Sequence, residues 1–222
     1  MKLVSYDFGV DYELRTGVNF FVIENVKMLR DVICDFERNI EDNSGNFMLS
    51  NNATEISMKD KCMLIINPFD LNFEDSKMIK CVYDDIKRNM LDEDHMQETM
   101  NIMESLRQYV EKMLFDYDIE LRNNSSLDLL KLLKLYNIML EGEDETFLNR
   151  IILFMRAAYK LMKTHYFIFV NLGTFLDEDE LELLNQECLY ADSVAILLEN
   201  TYNTDSNKYN LTLYDRDLCR VI

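Results

Sequence analysis

The chain has 222 residues, 48% hydrophobic and 11% aromatic, which excludes a disordered polymer and suits one large domain or a core domain with an appendage. Its formal net charge of −18 excludes a uniformly basic nucleic-acid-binding surface. Five cysteines and no C-x-x-C pair exclude a disulfide framework and a structural zinc site of the usual spacing.

Cys34, Cys62, Cys81, Cys188 and Cys219 each lie in apolar sequence, so all are expected as reduced core thiols. His95 and His165 are far apart, with no ligand-type residue at metal spacing. The first residues lack a signal-peptide pattern, and no run reaches membrane-spanning length, so a cytoplasmic protein with no membrane contact is expected. One proline and five glycines leave few helix stops, and long helices follow.

In chain order, residues 18–23 form the first apolar, β-branched and aromatic run, and a helical pattern follows over 26–40. A second run, 62–66, precedes a helix over 76–90. The pattern then changes. Met96, Met100, Met103, Leu106, Val110, Met113 and Tyr117 recur at spacings of three and four. They predict a helix of about 25 residues, roughly 38 Å long. Further helical blocks cover 127–136 and 147–163. Strands resume at 166–170, a polar break follows at Asn171-Leu172-Gly173-Thr174, and a helix is expected over 178–190. Asp177 with Glu180 three residues later is a capping-box arrangement for that helix. The last strand is expected at 194–198.

Continuously apolar strands alternating with helices predict an α/β fold with a mainly parallel sheet and right-handed crossovers. The division that follows is a head of residues 1–91 with 166–222, and an inserted helical leg of 92–165. The apolar stripe of the leg would pack on its own hairpin or on another subunit.

The chemistry is sparse. No Walker phosphate loop, dinucleotide-binding glycine motif or nucleophile elbow occurs, so neither a bound nucleotide nor a catalytic residue is expected. Asp177, Asp179 and Glu180 fail the EF-hand pattern, which wants an oxygen ligand and a glycine where Leu181 and Glu182 stand. Asp116, Asp118 and Glu120 crowd where the long helix should end. Such a group repels itself unless it is solvated or holds a hard cation such as Ca²⁺.

Positive charge is uneven. Residues 92–125 carry 3 basic and 9 acidic side chains, whereas 126–165 carry 6 and 5. Arg156, Lys160 and Lys163 fall at i, i+4, i+7, Lys131 and Lys134 at i, i+3, and Lys77, Lys80, Lys87 and Arg88 on one helix. Spaced cations without base-reading geometry suit a phosphate backbone, and several copies around a duplex would multiply weak contacts. A solvated helix face offset by acids is the alternative.

F-V-N-L-G-T-F-L-D-E-D-E-L at 169–181 resembles the strand–turn–helix signature of the type II-A CRISPR adaptation protein family, a ring-forming accessory factor of spacer acquisition. The stretch I-N-P-F-D-L-N-F-E-D-S-K-M-I-K-C-V-Y-D-D-I at 66–86 is similar to that family's second strand and helix, with Lys80 where a family lysine stands. Residues 18–26 resemble its first strand and turn, and 194–199 its last strand.

The resemblance implies a degenerate NTPase-like fold lacking Walker motifs, with an inserted long-helix leg domain. It further implies a homotetrameric ring that threads on double-stranded DNA ends and is supported by bound calcium. Its partners would be other CRISPR adaptation proteins and the type II effector nuclease. On this reading Lys80, Lys131, Lys134, Arg156, Lys160 and Lys163 contact phosphates, and Asp116, Asp118 and Glu120 hold Ca²⁺. Two alternatives stand beside it: a divergent nucleotide hydrolase on the same fold, and a protein-interaction module using the methionine-rich arm.

Overall fold

The computed structural model describes residues 1–52, 54–73, 75–115, 129–138, 140, 146–202 and 208–222. The chain divides into two compact units, Met1–Asn72 with Gly142–Ile222, and Phe73–Glu141.

The first unit is built on β3 (Gly17–Ile23), whose seven residues are all buried. A strand covered on both faces has no position for an unpaired polar group, and its one polar residue is fully paired. Asn19 Nδ2 donates to the carbonyls of Arg15 (2.8 Å) and Gly17 (2.9 Å), and its Oδ1 accepts from Asn210 Nδ2 at 2.7 Å. Around β3 lie β6 (Cys62–Ile65), β7 (Tyr166–Val170), β8 (Val194–Glu199) and β9 (Asn210–Tyr214), in the order β6-β7-β8-β3-β9. Every pairing in this sheet is parallel. The α/β class and the parallel sheet expected from the run pattern are therefore present. β9 and a second sheet are additions that the sequence reading did not contain.

That second sheet is antiparallel, with β1 (Lys2–Ser5), β2 (Val10–Glu13), β4 (Met48–Asn51) and β5 (Thr54–Ile56) in the order β2-β1-β4-β5. Strands of three and four residues are too short to display a period in the sequence. The small sheet and α1 (Val26–Asp42) share one core with alternate residues of the parallel sheet. Leu3, Tyr12, Phe47 and Leu49 meet Phe21 and Ile23 of β3, Met28, Val32 and Phe36 of α1, and Ile168 and Ile196. Tyr12 ties the two sheets further, its hydroxyl donating to the carbonyls of Phe20 (3.1 Å) and Asn210 (3.0 Å).

Asp35, wholly buried on α1, shapes the loop into β4. Its carboxylate accepts from the amides of Asn46 (2.6 Å) and Phe47 (3.1 Å), from Asn46 Nδ2 (3.0 Å) and from Arg38 (2.9 Å). After the single turn α2 (Met58–Lys61) the chain enters β6.

The opposite face of the parallel sheet carries α7 (Glu178–Tyr190) and α6 (Phe147–Ala157). The capping box expected at Asp177 and Glu180 is formed, with Glu180 N–H donating to Asp177 at 2.8 Å and Asp177 N–H to Glu180 at 3.1 Å. Gly17, at φ +102°, lets α7 come close to β3; a Cβ there would sit 2.5 Å from Asn185 Oδ1. That oxygen accepts the Val18 amide at 3.0 Å. The helix expected over 147–163 is α6 followed by a π-helical turn, Ala158–Met162, and Lys163 ends it in the left-handed region.

The thiol expectation needs correction. Cys62 and Cys188 are buried, but Cys34 and Cys219 are exposed and Cys81 is half-buried. Apolar neighbours in sequence do not fix the helix face on which a cysteine falls. Burial pushes the Cys62 and Cys188 thiols up to about 12.

The second unit holds α3 (Ser76–Asn89), α4 (Met96–Phe115) and α5 (Leu129–Leu135). Asp75 caps α3 by accepting from the amides of Lys77 (2.9 Å) and Met78 (3.0 Å). None of the 20 residues of α4 is buried. Local pairs support it instead, with Arg107 held between Glu104 and Glu111, each at 2.6 Å, one turn away on either side.

Candidate nucleic-acid interface

Ligands of open parallel sheets bind beyond the carboxyl ends of the strands, where neighbouring crossovers leave in opposite directions. Here the chain leaves β3 toward β6 and leaves β8 toward β9, so that point lies between β3 and β8. It is closed by the protein's own side chains. Asn25 Oδ1 accepts the amides of Lys27 and Met28, each at 3.1 Å, which are first-turn donors a phosphate would take. Asn25 Nδ2 donates to the Arg216 carbonyl at 2.9 Å, and Asn200 Nδ2 reaches across to the carbonyls of Ile23 (2.9 Å) and Glu24 (3.3 Å).

Beside Asn200, Glu199 ends β8 as a buried carboxyl, 1% exposed. It accepts from the Gly173 amide at 2.6 Å and the Thr174 hydroxyl at 3.2 Å. Burial pushes it up to about 7 against the opposing pull of those two bonds. Glu199 and Asn200 were missed in the sequence because the apolar run stops at Leu198. The signal available was an acid directly abutting an otherwise continuous buried strand.

The cations expected to contact phosphate lie in both units. In the first, Arg156, Lys160 and Lys163 are all exposed. Arg156 is clamped by Glu187, with Nε and Nη2 each 2.6 Å from a carboxylate oxygen, which raises the guanidinium further. Arg156 and Lys160 line an open cavity of about 570 Å³ with Tyr159, Phe167, Tyr190 and Ser193. Lys163 leaves that stripe, because the chain turns left-handed at φ 59° and its Nζ donates back to the Lys160 carbonyl at 3.1 Å.

In the second unit, Lys80 is exposed on α3 alongside Lys77 and Lys87, and Lys131 and Lys134 are exposed on α5. The two helices meet through Lys134 Nζ, 6.0 Å from the ring centroid of Tyr83.

Asp116, Asp118 and Glu120 lie outside the described residues. Among the described residues no group of three or more His, Cys, Asp or Glu is placed to hold a metal ion, and no helix is long and apolar enough to cross a membrane.

Residues 39–218 match the family model described as CRISPR-associated protein (Cas_Csn2), while no curated protein matches the chain. The matched span runs from α1 through the second unit to the segment beyond β9, and includes every cation named above as a phosphate contact. The chain belongs to the Csn2 family of type II-A CRISPR-associated proteins and is thereby an adaptation-related accessory protein.

Proposed function

We propose that the protein is a non-catalytic, sequence-independent double-stranded DNA-binding protein that acts as a homotetrameric ring on DNA ends in spacer acquisition. The observation that carries this reading is the placement of the cations. Arg156 and Lys160 are exposed on helical turns of the first unit, and Lys80, Lys131 and Lys134 on helices of the second, while the carboxyl edge of the parallel sheet is closed by Asn25 and Asn200. Phosphate backbones want spaced, exposed cations of this kind and no recognition pocket.

One protomer carries too few of these charges to hold a duplex alone in so acidic a chain, and symmetry multiplies them. The exposed Met96, Met100 and Met113 of α4 supply apolar surface for joining copies. Asp116, Asp118 and Glu120 are hard oxygen donors whose chemistry fits Ca²⁺, and they would hold it, relieving repulsion where acidic protomers and DNA approach. Other adaptation proteins and the effector nuclease are the protein partners on this reading.

The test is binding to linear and covalently closed DNA of one sequence, with and without Ca²⁺, across a salt series, together with native mass. Linear DNA should be held better, affinity should need the divalent ion, and log K should fall steeply with log salt. A monomer that retains closed circles as well as cut fragments would sink the ring.

A second reading rests on α4 as well. A helix without a buried residue also suits a partner helix from another protein. A stable monomer indifferent to DNA would favour that alternative.

A further inference from the structure

The Asn171–Phe175 turn that follows β7 is anchored by the buried Leu172 and a backbone bond from Asn171, its Gly173–Thr174 part is held by the buried Glu199 carboxyl, and it ends in an exposed aromatic cluster. Asn171 sits in the left-handed region at φ 56°, with its amide donating to the Leu198 carbonyl at 2.9 Å. Gly173 lies two residues on, and a side chain there would crowd its neighbours. A Cβ there would lie 3.0 Å from Phe20 Cε1 and 3.1 Å from Glu199 Oε1. The close approach delivers the Gly173 amide and the Thr174 hydroxyl to Glu199.

Two residues on, Phe175 meets Phe69 edge-on at 4.8 Å, and Phe69 stacks on Phe147 of α6 at 4.6 Å. Phe175 is 48% and Phe69 52% exposed, so the cluster is an open face and not core.

No described cation compensates the Glu199 carboxylate. Its neighbour on β3 is the Phe20 ring, flanked by Tyr202 at 5.0 Å and Tyr209 at 5.7 Å between ring centroids. The charged residues bounding these elements are Glu24 after β3, Asp177 after the turn, Lys208 before β9, which is paired with Glu182 at 3.3 Å, and Asp215 and Arg216 after β9. An ionised carboxylate here has two donors, no counter-ion and no water-facing surface, and it gains solvation if the turn lifts.

We propose that Glu199 is the bolt of a protonation-gated latch. The neutral carboxyl keeps the Asn171–Phe175 turn seated on the sheet, and the ionised form releases the turn together with Phe175 from the aromatic cluster. The Asn171 amide bond to Leu198 acts as the hinge. Every part of the latch lies within one chain.

The experiment is amide hydrogen exchange at Gly173, Thr174 and Phe175 of the full chain between pH 5.5 and 8.5, corrected for intrinsic base catalysis, in wild type and Glu199→Gln. Gln reproduces the neutral acid, its carbonyl accepting the Gly173 amide and its NH₂ reaching the Thr174 oxygen. Wild-type protection should fall on the order of a hundredfold from the acid to the alkaline limit, while the Gln variant stays flat. Wild-type protection that is constant over this range overturns the latch, as does a Gln variant that loses protection in parallel. A direct readout needs no variant: the ¹³C shift of the Glu199 carboxyl should titrate near neutrality, and a midpoint at the ordinary glutamate value overturns the proposal.

Discussion

β3 and the methionine-rich stripe of α4 both carry an apolar pattern, and their fates are opposite. Every residue of β3 is buried between two layers, whereas α4, nearly three times as long, buries none, leaving Met100 51% and Phe115 88% exposed. An apolar pattern states that a face must be covered, and not what covers it. In β3 the cover lies in the same chain and contributes stability to the fold. In α4 the described residues supply only part of a cover, with Met103, Leu106 and Leu114 half-buried and the other apolar side chains exposed, and on the reading proposed above association supplies the rest.

The largest expected effect breaks this comparison at its buried end. Phe21→Ala should cost about 3–5 kcal/mol in urea unfolding, since its ring is wholly buried among Tyr12, Phe47 and Tyr214. Met100→Ser should change monomer stability by less than about 0.5 kcal/mol and act on native mass instead. If Met100→Ser destabilised the dilute monomer as much as Phe21→Ala, the contrast between the two segments would be wrong.

Asp35→Ala comes next. Removing an acceptor shared by two backbone amides, Asn46 and Arg38 should cost about 3 kcal/mol and loosen the loop into β4. Asp31→Ala on the same helix serves as the exposed control and should cost little.

The pH dependence is third. The folded-state value of Glu199 is raised to about 7 from an unfolded 4.5, so the native state binds the extra proton between them. Its stabilising contribution is complete below pH 4.5, falls as pH rises through that window and is lost above 7, by at most about 3 kcal/mol. Glu199→Gln should flatten this component of the stability profile, and an unchanged slope between pH 5 and 7.5 would contradict it.

The smallest effect concerns Arg156. Its pair with Glu187 is largely exposed on the arginine side, so Glu187→Gln should change stability by less than about 1 kcal/mol. Freeing the guanidinium should tighten DNA binding modestly and steepen the salt slope by up to about one. A weaker-binding Glu187→Gln protein would mean that Arg156 serves the fold and not the ligand.

Much of the parallel sheet was legible because its strands are covered on both faces and read as unbroken apolar runs. Tyr166–Val170 and Glu178–Tyr190 have the expected bounds, and β3 and β6 differ from expectation by one residue. The antiparallel sheet was not legible, because β1, β2, β4 and β5 draw their stability from Tyr12, Phe47 and their neighbours packing on distant residues and not from local pattern. The basic stripes were legible as spacing alone. Sequence does not report that Glu187, 31 residues away, would clamp Arg156, or that a π-helical turn would carry Lys163 off the stripe.

By itself the sequence determined the alternation of buried strands with amphipathic helices, the missing phosphate-binding glycines and the positions of the cations, since these depend on residue type and short-range period. Tertiary structure alone decided that Asn25 and Asn200 fill the carboxyl edge, that Glu199 is buried under Gly173, and that no residue of α4 is fully buried. Burial and pairing between residues far apart in the chain are set by where the strands and helices pack, and that order has no local signature.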